Sequence, residues 1–137
     1  MKTITGLFLV AHGLVHAGLA TAPDPNSPET NRGAFFTSPQ RSWLLPQWGL
    51  KATAIQWIGI LLVVFTMLGF VLAGLGVFRV PWLAEFWRTI AVVSAVLSSL
   101  MLLLIWHPWI ILGVLIDVGI IFSLLWADWR SQALIGY

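Results

Sequence analysis

Three ionisable side chains lie inside apolar segments of the sequence, where they could do chemistry. His12 and His16 belong to the first hydrophobic segment, residues 4–20, and Asp117 lies near the centre of the last one. Ionisable groups are costly at membrane depth, so they normally face a helix-bundle interior, a partner or a water-filled cavity. Histidines four residues apart on one helix can share a metal ion. A carboxylate can add a third ligand or orient an imidazole ring.

The predicted depths of these groups match if the first and last segments are antiparallel helices. His12 lies nine residues after Thr3, and Asp117 lies nine residues before Trp126, so each is about 13–14 Å from the same end of the helix pair. His16 lies one turn further, about 6 Å. We therefore expect Asp117 to meet His12, or both histidines, and we expect polar residues of the second segment to lie nearby. The predicted buried polar cluster consists of His12, His16, Asp117, Thr66 and Gln56.

Three uses of this cluster are open at the level of sequence. The first is a polar lock, in which hydrogen bonds between helices fix their register; such bonds are worth about 0.6 kcal/mol on average. The second is a cofactor or metal site with His12, His16 and Asp117 as ligands. Two histidines of one helix cannot bind a haem from opposite faces, so a bis-histidine haem would need His107, which lies too close to the surface. The third is a proton relay or a quinone site.

The composition indicates a membrane protein. Of the 137 residues, 59% are hydrophobic and only 9% are charged, whereas soluble domains carry about 25% charged residues. The mean hydropathy is +0.93. The chain has no cysteine, which excludes disulfides and thiolate metal sites, and its net charge of +2 gives no basis for a nucleic-acid patch.

Four predicted membrane spans position the cluster. A span needs about 20 residues, so a chain of 137 residues has room for about four. The expected fold class is all-α, a polytopic membrane protein with an antiparallel four-transmembrane-helix bundle, as a single membrane domain over residues 1–137. A proline-rich loop connects the first two spans, and its aromatic second half is expected to lie on the bilayer surface. The spans are predicted at about 3–21, 52–76, 82–106 and 109–127, and the loop at 22–50.

The first segment has a second interpretation as a secretory signal. Lys2, the apolar core and Ala20-Thr21-Ala22 match the pattern of a signal with an A-x-A cleavage site. Two histidines fit poorly into such a core, and Pro23 would follow the scissile bond. We therefore expect a retained transmembrane helix.

Tryptophans and basic residues predict how the chain sits in the bilayer. All nine tryptophans, Trp57 and Trp87 included, fall near span ends or in the loop, as expected for aromatic belts. Basic residues divide four to three between the two sides, which favours an orientation with both termini cytoplasmic. The expected location is the cell (cytoplasmic or inner) membrane. The four on the inner side are Lys2, Arg79, Arg88 and Arg130, and the three on the outer side are Arg32, Arg41 and Lys51. The predicted interface anchors are Trp43, Trp48, Trp106, Trp109, Trp82, Trp126 and Trp129.

A short motif in the first segment resembles a known family. Residues 11–16, Ala-His-Gly-Leu-Val-His, are similar to the A-H-G-L-x-H stretch that opens small, uncharacterised four-helix bacterial membrane proteins. Trp106, Gly113 and Asp117 fit that family's later pattern, a tryptophan-flanked turn before an apolar helix with a central Asn or Asp. The resemblance implies the four-helix fold and no activity. His107-Pro108 and the proline-rich loop depart from the family pattern.

These observations favour a small integral membrane protein that acts as an accessory, structural or binding subunit of a larger membrane complex. Its expected partners are the lipid bilayer and other membrane subunits or further copies of itself, and no nucleic acid. The alternative is an enzyme subunit that binds a metal, haem or quinone, or relays protons, through His12, His16 and Asp117. Common nucleotide-binding, serine-hydrolase and zinc-protease motifs do not occur in the sequence, so a catalytic residue cannot be named.

Overall fold

The protein is seen in a computed structural model, which describes residues 2–22, 39–105 and 110–125. Within these ranges the chain is all-helical, without strands, and the predicted all-α class is confirmed there. Two short 3-10 helices, Pro39–Arg41 and Leu45–Trp48, precede the second α-helix. The four α-helices are α1 (Lys2–Thr21), α2 (Ala52–Val77), α3 (Leu83–Leu104) and α4 (Ile111–Leu125).

Three of these helices, α1, α2 and α3, are long and apolar enough to cross a membrane. The described part of α4 is a shorter apolar helix of 15 residues, and residues 106–109 and 126–137 on either side of it lie outside the described ranges. Many large apolar side chains are exposed on the helices, including Leu61, Phe65 and Leu115. Exposed apolar surface on this scale is unusual for a soluble domain and suits contact with lipid.

Consecutive helices pack against each other, α1 on α2, α2 on α3 and α3 on α4. Glycines allow α1 and α2 to approach closely. A Cβ atom placed on Gly74 would lie 2.6 Å from Val10 Cγ2 and 2.8 Å from the Gly6 carbonyl oxygen. Small residues at helix contacts serve this purpose in membranes, where packing rather than water exclusion holds helices together.

The contact between α2 and α3 corrects the predicted position of one tryptophan. The sequence places Trp87 in the aromatic belt, but the structure buries it, with 3% of its surface exposed. Gly76 is the physical reason, because a Cβ atom there would lie 2.5 Å from Trp87 Cβ. The missing side chain makes room for the indole between the helices. By contrast, Trp43, Trp48, Trp57 and Trp82 are exposed.

The described second half of the long loop packs against α2 and the end of α3. The Trp43 indole N–H donates a hydrogen bond of 2.7 Å to the Leu103 carbonyl oxygen. This hydrogen bond anchors Trp43 to the protein, although the side chain is exposed. Within this part of the loop, Leu45 is buried and Trp48 is exposed. The predicted anchors Trp106, Trp109, Trp126 and Trp129 lie outside the described residues.

Candidate functional site

The two histidines share the inward face of α1. Leu9, His12 and His16 recur at the spacing of an α-helix, and all three are buried. Gly13, beside them, lets α2 come close, since a Cβ atom there would lie 2.9 Å from the Met67 carbonyl oxygen and 3.0 Å from Phe70 Cβ. The sequence thus places both imidazoles against α2 instead of against lipid.

Asp117 reaches the same place from α4. Its side chain is fully buried, and the N–H at His12 Nε2 donates to Asp117 Oδ1 across 2.9 Å. Backbone packing in the described residues joins α1 to α2, α2 to α3 and α3 to α4. The His12–Asp117 pair therefore adds a direct side-chain connection between the first helix and the fourth.

His16 connects to α3 through Ser98. The His16 Nε2 atom lies 3.0 Å from Ser98 Oγ, and both side chains are buried. Because Nε2 is engaged by the serine, Nδ1 is the nitrogen of His16 that remains available. That atom is buried and has no hydrogen-bond partner among the described residues.

Aromatic rings hold the two imidazoles in place. Phe70 of α2 presents its ring edgewise to His12, with centroids 4.7 Å apart, and stacks on His16 with centroids 6.2 Å apart. Phe8 stacks on His12 with centroids 5.9 Å apart. The two imidazoles are nearly perpendicular, with centroids 5.1 Å apart. These ring contacts pack both imidazoles closely against Phe70.

Four buried side-chain polar atoms have no hydrogen-bond partner in the part of the chain that the structure describes. They are Asp117 Oδ2, His16 Nδ1, Thr66 Oγ1 and Ser99 Oγ. An ionised carboxylate can accept several hydrogen bonds, and an unsatisfied buried polar group costs about 1–3 kcal/mol. One possible ligand atom from each of His12, His16 and Asp117 lies within 4.8 Å of the others. The three side chains could therefore converge on one ion.

The structure brings His12, His16 and Asp117 together but leaves out Gln56, which is exposed on α2. The buried stripe of α2 contains Ile55, Gly59 and Val63, so Ile55 takes the inward position that the sequence interpretation gave to Gln56. The glutamine is near the start of α2, where a polar amide can reach headgroups. Thr66 is fully buried one turn before Phe70, as a neighbour of the site.

Ser98 and Phe70 were not predicted as members of the site. A depth count could have found the serine. Counted from Thr3 and Trp82, the predicted inner ends of their spans, His16 would lie about 20 Å deep and Ser98 about 24 Å deep.

No family model, no curated protein and no solved structure matches this chain. The resemblance to the small four-helix bacterial proteins therefore stays a prediction.

Proposed function

We propose that the chain is a small integral membrane protein that serves as an accessory, structural or binding subunit of a larger membrane complex. In this proposal His12, His16 and Asp117 form a polar lock that fixes the helices relative to one another. The observation that carries it is the 2.9 Å contact of His12 with a fully buried carboxylate 105 positions away in sequence. A hydrogen bond in an apolar interior specifies register more than it adds stability.

The proposed topology has four antiparallel spans in the cytoplasmic membrane, with both termini in the cytoplasm. The length and apolar character of α1, α2 and α3 support the membrane location. The Arg88 guanidinium donates a 3.0 Å hydrogen bond to the Leu124 carbonyl oxygen, which places the last described turn of α4 beside the start of α3. A cation at a helix C-terminus is favourable, and Arg88 is one of the basic residues assigned to the inner side.

A role within a complex is supported by the surfaces of the described helices, which carry exposed leucine, valine and phenylalanine side chains. These surfaces can pack on lipid or on helices of other subunits or of further copies of the same chain.

The second candidate is an enzyme subunit that uses the same three residues to bind a metal, haem or quinone, or to relay protons. Asp117 Oδ2 and His16 Nδ1, which have no hydrogen-bond partner among the residues that the structure describes, favour it, because a purely structural cluster is expected to satisfy its buried polar atoms.

Gentle extraction of the native protein, followed by size-exclusion chromatography, subunit quantification and an absorption spectrum, separates the two candidates. The subunit proposal predicts a colourless complex with other chains, or with copies of this chain, at a fixed ratio. A lone monomer that carries a Soret band or a stoichiometric quinone would contradict it and support the second candidate.

A further inference from the structure

We propose that His12, His16 and Asp117 form a binding site for one divalent transition-metal ion, which occupies the centre of the polar lock. The inference goes beyond the subunit role and does not depend on it. It rests on the distances between the ligand atoms, on buried atoms without a hydrogen-bond partner among the described residues, and on the charge of Asp117.

The geometry places three suitable ligand atoms close to one point. Nitrogen and oxygen ligands lie about 2.0–2.2 Å from a zinc ion, so tetrahedral ligand atoms are about 3.4 Å apart. The three candidate atoms here lie within 4.8 Å of one another, with His12 Nε2 and Asp117 Oδ1 at 2.9 Å. Small side-chain rotations can therefore close the set around an ion.

The hydrogen-bond pattern assigns a role to each ring nitrogen of His16. When His16 carries its proton on Nε2, it donates to Ser98 Oγ, and the lone pair of Nδ1 is free to bind metal. Metal-binding histidines usually use their other ring nitrogen in this way. His12 becomes a ligand through Nε2 when its proton moves to Nδ1, so neither imidazole has to be charged. A metal ion would also engage the Asp117 carboxylate, whose Oδ2 has no hydrogen-bond partner among the described residues.

Charge favours occupation of the site by a cation. Asp117 is fully buried between apolar helices, and a buried carboxylate is costly unless it is paired or coordinates a metal. A dication offsets that negative charge. Two imidazoles with one carboxylate suit zinc, iron(II) or cobalt rather than magnesium or calcium, which prefer oxygen ligands alone. Three protein ligands also leave a coordination position for water or another small ligand.

The test titrates Co²⁺ or Zn²⁺ into chelator-treated protein in detergent, with visible absorption for cobalt and elemental analysis for stoichiometry. The proposal predicts one bound ion per chain and cobalt absorption bands typical of nitrogen and oxygen ligation. Asp117→Asn and His16→Gln should weaken the affinity more than about 100-fold, beyond the 10–100-fold effect of an outer-sphere partner. Asp117→Asn keeps an oxygen that can accept from His12, so it preserves the lock while it impairs the metal site.

A matched pair of serine variants keeps the test decisive if a ligand variant fails to fold. Ser98→Ala removes the partner of His16 and should weaken cobalt binding about 10–100-fold. Ser99→Ala removes a neighbouring buried hydroxyl without a partner in the described structure and should leave the affinity unchanged. Circular dichroism verifies the helical content of each variant. Absence of saturable binding in the wild-type chain, or equal affinity in all folded variants, would overturn the metal site and leave the polar lock intact.

Discussion

At the scale of single residues, Asp117 is a buried carboxylate inside an apolar interior. Its carboxylate is fully buried, accepts from His12, and has a second oxygen without a partner in the described part of the chain. Its environment differs from that of a surface carboxylate, because the solvent cannot replace a lost hydrogen bond. The effect of a substitution at Asp117 therefore depends on whether the new side chain can still accept the hydrogen bond from His12.

Asp117→Leu is expected to destabilise the folded protein by about 1–3 kcal/mol, because it leaves the His12 N–H buried without an acceptor. Asp117→Asn should cost less, since its amide oxygen still accepts that bond. The measurement is unfolding in mixed micelles by sodium dodecyl sulfate, followed by tryptophan fluorescence under chelating conditions. Equal stability of both variants and the wild type would show that the Asp117 carboxylate does not stabilise the folded protein.

At the scale of elements, close contacts between helices decide which substitutions the fold accepts. Gly74→Ala would push a methyl group into Val10 and the backbone of Gly6, and overpacking of this kind typically costs about 1–3 kcal/mol. Gly18→Ala is the matched control, because nothing lies within 4 Å of the added Cβ. The same unfolding assay should show a loss for position 74 and no loss for position 18. The reverse order would contradict the packing of α1 on α2.

The loop before α2 offers a second test at this scale. Trp43→Phe removes the hydrogen bond to the Leu103 carbonyl oxygen, which should cost about 0.5–1.5 kcal/mol and speed amide hydrogen exchange in residues 39–50. Trp48→Phe, at a more exposed indole, should change the exchange little. Similar exchange rates in both variants would argue against the anchor.

The helical elements and part of the site were accessible from the sequence. Apolar segments of about 20 residues and the turn residues between them indicate helices, and matching depths brought Asp117 to His12. The burial of Trp87 and the exposure of Gln56 were not accessible, because both depend on small rotations of helices about their axes. The stripe of α2 runs through Ile55 and Gly59, and Gln56 lies just beside it. The hydrophobic pattern of the sequence does not show which of the two neighbouring residues, Ile55 or Gln56, faces inward.

At the scale of the whole molecule, the absence of cysteine makes topology directly measurable. Single cysteines at position 79 and at position 41 should react with a membrane-impermeant maleimide from opposite sides, the first from the cytoplasm. A cysteine at Leu14, an exposed apolar position on α1, should be protected by lipid on both sides. Labelling of positions 79 and 41 from one side would contradict the proposed arrangement of spans.

The central claim is that His12 and Asp117 hold the first and fourth helices together inside the protein. A double-mutant cycle of His12→Phe and Asp117→Leu, with unfolding free energies measured under chelating conditions, tests that claim most directly. The account predicts a coupling energy of at least about 0.6 kcal/mol, the average for hydrogen bonds between membrane helices. Additive effects of the two substitutions, with no coupling between them, would contradict it.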